Sequence, residues 1–339
     1  MLSKIKQLLG IYKNKIEQDG FFEASRLASN YITERVIGRP LRRLVRPLTQ
    51  PPVIYYHSRN NDEWNVFNKE WDLLIVLDTC RPDALRQGMD EYPFIDQVDS
   101  EWSVGSSSSE WILNTFDQSY REEISETAYI TSNPYSRRIL ANDFDNPHLG
   151  YTKKVTRRLQ RYAVTSAVDP DAFHTCGFLW DSSSDYGPVR YPSPRTVTNH
   201  AISLDRHEDS PPKMIVHYMP PHTPYIARYV DGEIEFGEAR KGFDAYLDNL
   251  RWALNEVALL LENVSREKVV ITADHGNNFL LKKSIRSDHT PGMVAPSVRR
   301  VPWVETSATD KRTYIPDLEA QDEESMSAEE TLEALGYLS

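Results

Sequence analysis

Two cysteines in 339 residues, Cys80 and Cys176, with no Cys-X-X-Cys pair, leave neither a disulfide framework nor a thiolate zinc knot. No run of about 18 apolar residues occurs, so no transmembrane helix is expected. The start carries Lys4 and Lys6 but only a two-leucine apolar stretch, short of what a cleaved leader needs. A cytoplasmic protein is therefore expected. There is no internal repeat. Positive charge is scarce beyond residue 50, where 29 Lys/Arg face 46 Asp/Glu, and an acidic body of this kind is expected to bind no nucleic acid.

What is present is enough apolar material, 40% of the chain, for one large core or two modest ones. Residues 1–50 reverse the charge balance, with ten Lys/Arg against four Asp/Glu. Helical periodicity runs over 2–17, with Ile5, Leu8, Leu9, Tyr12 and Ile16 on one face, and again over 23–37. Pro40, Pro47 and the Pro51-Pro52 step end it. This stretch reads as a basic helical appendage, either packed on the main domain or in peripheral contact with an anionic membrane. The main domain spans 51–316. An acidic tail follows over 317–339, with a short helix expected from Ala328 to Leu335.

From residue 70 the pattern alternates. Trp71–Leu77, Ala128–Thr131, Met214–Met219 and Lys268–Thr272 read as buried strands, too short and too uniformly apolar for helices. Phe243–Asn263 is the strongest helix, its apolar face built from Leu247, Leu250, Ala253, Leu254, Val257, Leu260 and Leu261. Apolar strands separated by helices imply an α/β fold with a mostly parallel sheet covered on both faces. Sites in such sheets lie at the carboxyl ends of the strands.

Three strand ends carry polar residues. The first runs into Asp78-Thr79-Cys80-Arg81-Pro82, where Asp78 could meet a metal or cap the helix that Pro82 begins. The last runs into Ala273-Asp274-His275-Gly276, whose adjacent Asp and His offer a hard oxygen and an imidazole nitrogen to a divalent ion. Between them, Pro220-Pro221-His222-Thr223-Pro224 holds an imidazole in a proline-stiffened loop, as a site group or a packed loop residue. Gly105-Ser106-Ser107-Ser108-Ser109 precedes a helix-compatible run, either an anion-binding turn with a nucleophilic serine or an ordinary serine cap.

Taken together, WDLLIVLDTCRPDAL, SVGSSSSEWILNTF, VHYMPPHTPYI, VVITADHGNNF and SDHTPGMVAPSVRRVPWVE resemble, in order, the motif series of the alkaline phosphatase/sulfatase superfamily, over about residues 70–305. The closing LEALGYLS is similar to the usual ending of its short archaeal and bacterial members. The resemblance implies an alkaline-phosphatase-like α/β/α sandwich as the catalytic domain over 51–316. It implies Asp78, Ser108, Asp274 and His275 as metal ligands and Ser108 as the metal-bound nucleophile, with Ser107 and Ser109 close enough to be confused with it. His222 would contact the ester oxygens or protonate the leaving group. His289 would line the site or complete a metal sphere, and Arg81 would pair with the substrate anion or with a carboxylate of the chain. One divalent ion is implied, Mn or Zn ahead of Mg or Ca, and a second is left open because no Asp-X-X-X-His set occurs. Ser108 and Cys80 both lack the C/S-X-P-X-R context of formylglycine enzymes, and Asp78 has no paired aspartate. These departures favour phosphate over sulfate esters. The expected activity is hydrolysis of an anionic ester, glycan- or lipid-linked substrates included. A phosphotransferase with a glycan or lipid acceptor, a mutase and a non-catalytic binder are the alternatives.

Overall fold

The computed structural model describes residues 50–60, 62–143, 152–180, 193–233, 242–279 and 287–318. The helices expected over 2–17, 23–37 and 328–335 lie outside the described residues. The chain divides into two compact units, Met1–Pro52 and Val53–Ser339, and the sheet and the site belong to the second.

Among the described residues the strands are β1 (Leu73–Leu77), β2 (Asp99–Trp102), β3 (Thr127–Thr131), β4 (Thr175–Phe178), β5 (Lys213–Tyr218), β6 (Arg266–Thr272), β7 (Asn278–Phe279), β8 (Ser287–Asp288) and β9 (Arg300–Ala308). Seven of them form one sheet in the order β2-β9-β6-β1-β5-β3-β4, and β7 pairs with β8 apart from it. The run β6-β1-β5-β3-β4 is parallel throughout. Only β9, antiparallel to both β6 and β2, interrupts the pattern. The expected mostly parallel α/β sheet is present. The four expected strands are β1, β3, β5 and β6, with ends shifted by up to two residues.

The sheet buries both faces, which is why its strands are apolar without alternation. Leu73, Ile75 and Leu77 of β1 join one core with Val216, Ile130 and Ile271. Leu74 and Val76 join the other with Ile215, Tyr129 and Val270. The helices α1 (Pro82–Gly88), α2 (Ser108–Thr115), α3 (Pro134–Leu140), α4 (Pro194–Asp205) and α5 (Phe243–Leu261) divide accordingly. Leu85 of α1, Val197 and Ala201 of α4 and the Leu250/Leu254/Val257 stripe of α5 cover the first face. Trp111 and Ile112 of α2 and Ile139 of α3 cover the second. Three of these helices start with proline at the first position, where its missing N–H removes no hydrogen bond. For α1 the N-cap position is Arg81, so Asp78 is not the cap of that helix.

Where β6 ends, Gly276 brings the chain against the segment before β9. Its N–H donates to the Val298 carbonyl at 2.7 Å. A Cβ at this position would run into the Ser297 carbonyl oxygen, with Arg300 O a further 3.3 Å neighbour. Backbone on that side cannot swing away as a side chain would. Gly276→Ala is therefore expected to lose about 1–3 kcal/mol of stability through overpacking, measured as a lower urea midpoint at unchanged slope.

Candidate metal centre and nucleophile

Strand register brings the site together. Val76 of β1 lies opposite His217 of β5 and Thr272 of β6. Asp78 and Asp274 each follow two residues after that level, so the two carboxylates leave adjacent parallel strands at matching positions. Both are buried, at 1% and 0% exposure. One oxygen of each is held. Asp78 Oδ2 accepts from Asn133 Nδ2 at 2.7 Å and from Ser108 Oγ at 3.2 Å. Asp274 Oδ1 accepts from the backbone N–H of His275 at 2.7 Å and of Thr79 at 3.1 Å. Thr79 has φ 66°, a left-handed conformation that a β-branched residue rarely takes. That turn is what aims its N–H at Asp274.

The other oxygens, Asp78 Oδ1 and Asp274 Oδ2, are buried without a hydrogen-bond partner, and so is His217 Nε2. Ligand atoms of these three residues lie within 4.8 Å of one another. Buried polar atoms are almost always satisfied, so three orphans on residues whose ligand atoms lie this close ask for a shared partner. His275 adds a fourth donor. Its Nδ1 sits 2.8 Å from Gly276 O and so carries the proton, leaving the Nε2 lone pair 3.3 Å from Asp274 Oδ2 and 3.8 Å from Asp78 Oδ1. Two carboxylate oxygens and two imidazole nitrogens form a donor set that could hold a divalent ion.

Electrostatics agree with that donor set. Burial, then the charge of Asp274, pushes the Asp78 carboxyl well above its ordinary range, and burial raises Asp274 as well. Burial lowers His217 to about 4 and His275 to about 3. These imidazoles are thus neutral near pH 7 and present lone pairs. The carboxylates repel each other until a cation stands between them.

Of the four consecutive serines, Ser108 is the one directed at this cluster, with its Oγ 3.3 Å from His275 Nε2 as well as near Asp78. Ser107 caps α2 through Glu110 N and bonds Ser109, while Ser106 donates to Glu110 Oε2 at 2.6 Å. Beyond His275 the imidazoles continue in a row. The His289 ring lies 4.7 Å from that of His275 and 5.2 Å from that of His222. His222 Nδ1 is 2.6 Å from Thr223 O, and His222 Nε2 and His289 Nε2 are 3.4 Å apart. Burial lowers His222 to about 3 and His289 well below its usual value.

Asp78, Ser108, Asp274, His275, His222 and His289 are thereby brought together. Arg81 is not among them: it forms a two-pronged pair with Asp83 at 2.7 and 2.8 Å and donates to Asn277 O. His217 and Asn133 were not singled out from the sequence. The signal for His217 was a titratable residue inside an otherwise apolar strand.

No family model matches the chain, and no curated protein does. Solved structures similar to it include yidJ of Bacteroides fragilis, described as a sulfatase, at 12% identity over 69% of this chain and 67% of that one, TM-score 0.34. Others are the C-terminal periplasmic domain of EcEptC from Escherichia coli in complex with Zn (11%, 70% and 72%, TM-score 0.35) and the soluble domain of lipooligosaccharide phosphoethanolamine transferase A from Neisseria meningitidis (13%, 68% and 75%, TM-score 0.36). Likenesses this remote decide nothing about chemistry, which rests on the site's own atoms.

Two outcomes follow from the crowded carboxylates. Asp78→Asn is expected to stabilise the metal-free protein by about 1 kcal/mol by removing a buried like charge, while abolishing the gain in melting temperature on adding Zn. Thermal melts with and without chelator read both. Because raised carboxyls must shed protons to ligate, ion binding is expected to release protons and to tighten as pH rises. Calorimetry in two buffers of different ionisation enthalpy measures that release.

Proposed function

We propose that this chain is a metal-dependent esterase that cleaves phosphate esters, sulfate esters being the lesser candidate, with Ser108 as nucleophile. The observation that carries this reading is the Ser108 hydroxyl itself. It sits at the first turn of α2, within hydrogen-bonding distance of Asp78 and His275, beside three buried donor atoms that lack partners. Asp78, His217, Asp274 and His275 would hold the ion. A bound divalent cation would lower the serine's pKa and offset charge on the ester's nonbridging oxygens.

Within that frame the residues divide the work. Asp78 Oδ2, 3.2 Å from Ser108 Oγ, is the group placed to accept the Ser108 proton. Ser108 Oγ attacks phosphorus, an Oγ–P bond forms, and the bond to the leaving oxygen breaks, giving a phosphoseryl intermediate. Positive helix-terminal charge at the start of α2 favours the anion at that point. His222 and His289 stand beside His275; with its Nδ1–H at Thr223 O, His222 would donate from Nε2 to an ester oxygen only as the imidazolium, which the substrate's negative charge would have to support against burial. Water completes hydrolysis. A glycan or lipid hydroxyl in its place would make the same site a phosphotransferase, so the second step distinguishes the two.

The test is turnover of aryl phosphate monoester, phosphodiester and sulfate by metal-stripped protein resupplied with Mn, Zn, Mg or Ca. Wild type is expected to turn over at least one ester once metal is restored, and Ser108→Ala to lose at least about a thousandfold in kcat, as when a serine nucleophile is removed elsewhere. Product appearing only when an alcohol acceptor is added would assign the transferase. Metal bound at full occupancy with no turnover of ester in either format would reduce the chain to a binder.

A further inference from the structure

The segment from β3 into α3 carries none of the motifs that suggested the site, yet it touches two of the four donors. Resting on the metal-dependent reading above, we propose that Asn133 and Tyr129 are positioning residues that set Asp78 and His217 for the ion.

A carboxylate can present either oxygen, and something must choose. Asn133 Nδ2 donates to Asp78 Oδ2 at 2.7 Å, leaving Oδ1 buried without a hydrogen bond, 3.8 Å from His275 Nε2. The amide has no freedom to flip. Its Oδ1 is occupied as the N-cap of α3, accepting from Tyr135 N at 2.9 Å, so the NH2 group must point at Asp78. Both residues are buried, at 3% and 1% exposure. Water therefore does not compete for the bond.

His217 faces the analogous choice between tautomers. Its Nε2 can ligate only if Nδ1 carries the hydrogen. Nδ1 lies 3.0 Å from Tyr129 OH, which is in turn 2.8 Å from Ser136 Oγ. With that tautomer, Nδ1–H donates to the Tyr129 oxygen, and the Tyr129 O–H is then free to donate to Ser136 Oγ. Ser136 Oγ is 3.4 Å from Thr131 Oγ1, and Thr131 Oγ1 accepts from the Asn133 N–H at 3.0 Å. The two positioning groups thus belong to one buried hydroxyl-and-amide network on β3 and the first turn of α3. Neither touches Ser108 or the His222/His289 pair in this network, so the ion should feel their loss first.

The experiment is a competition titration of Zn and Mn against a chromogenic chelator, on the full chain, for wild type, Asn133→Ser and Tyr129→Phe. Serine retains a helix cap but cannot hold Asp78, which separates orientation from folding. Each variant is expected to bind the ion about 10- to 100-fold more weakly, the usual effect of losing such an outer partner. The melting temperature of metal-free Asn133→Ser is expected to fall somewhat, because Asp78 Oδ2 loses one of its two hydrogen bonds, while its upward shift with Zn shrinks. Wild-type affinity in both variants would overturn the proposal, and so would a lowered metal-free melting temperature with unchanged affinity, which marks a purely structural role. Wild type failing to bind either ion would overturn the metal-dependent reading itself and this inference with it.

Discussion

Two carboxylates meet at the ends of neighbouring parallel strands, buried, each with one oxygen unpaired. The repulsion between Asp78 and Asp274 is the constraint around which the rest of the site is arranged. Removing such groups from water costs several kcal/mol apiece unless charge or hydrogen bonds answer it. Hydrogen bonds answer half of the demand, through Asn133, Ser108 and the backbone of Thr79 and His275. A divalent cation fits the remaining half. The neutral imidazoles of His217 and His275 complete a donor set that no ordinary packing requirement would assemble.

That arrangement depends on the sheet. In a parallel array the carboxyl ends of neighbouring strands open at one edge, so residues just beyond β1 and β6 and near the end of β5 reach common ground from far apart in sequence. The left-handed turn at Thr79 and the close approach at Gly276 are local departures from easy geometry, and both flank the carboxylates. Such departures persist where surrounding contacts overdetermine them, and here they aim N–H groups and imidazoles. α2 then supplies Ser108 from the face of the sheet that also carries Tyr129 and His217.

Much of this was legible in the chain. Uninterrupted apolar runs announced β1, β3, β5 and β6, and the leucine stripe announced α5, because burial on both faces of a sheet or along one stripe of a helix leaves a direct compositional trace. Asp78, Asp274 and His275 could be named because each directly follows such a run. β2 and β4 were harder to read: their residues are at most partly buried, and both lie at the edges of the sheet. Arg81 illustrates the opposite difficulty. A guanidinium near an aspartate at a strand end looks the same in sequence whether it meets a ligand or Asp83, two residues on.

The sequence by itself determined the α/β alternation, the acidic body and the identity of most groups at the strand ends, since these follow from local composition and spacing. Tertiary structure separated Ser108 from its serine neighbours by placing it against Asp78 and His275, and it alone decided that His217 lies beside Asp274 from within a strand and that Asn133 holds Asp78 in place. Those facts depend on strand register and helix placement between residues 30 to 200 positions apart. A one-residue slip in register would turn His217 to the opposite face of the sheet, and no local pattern records it.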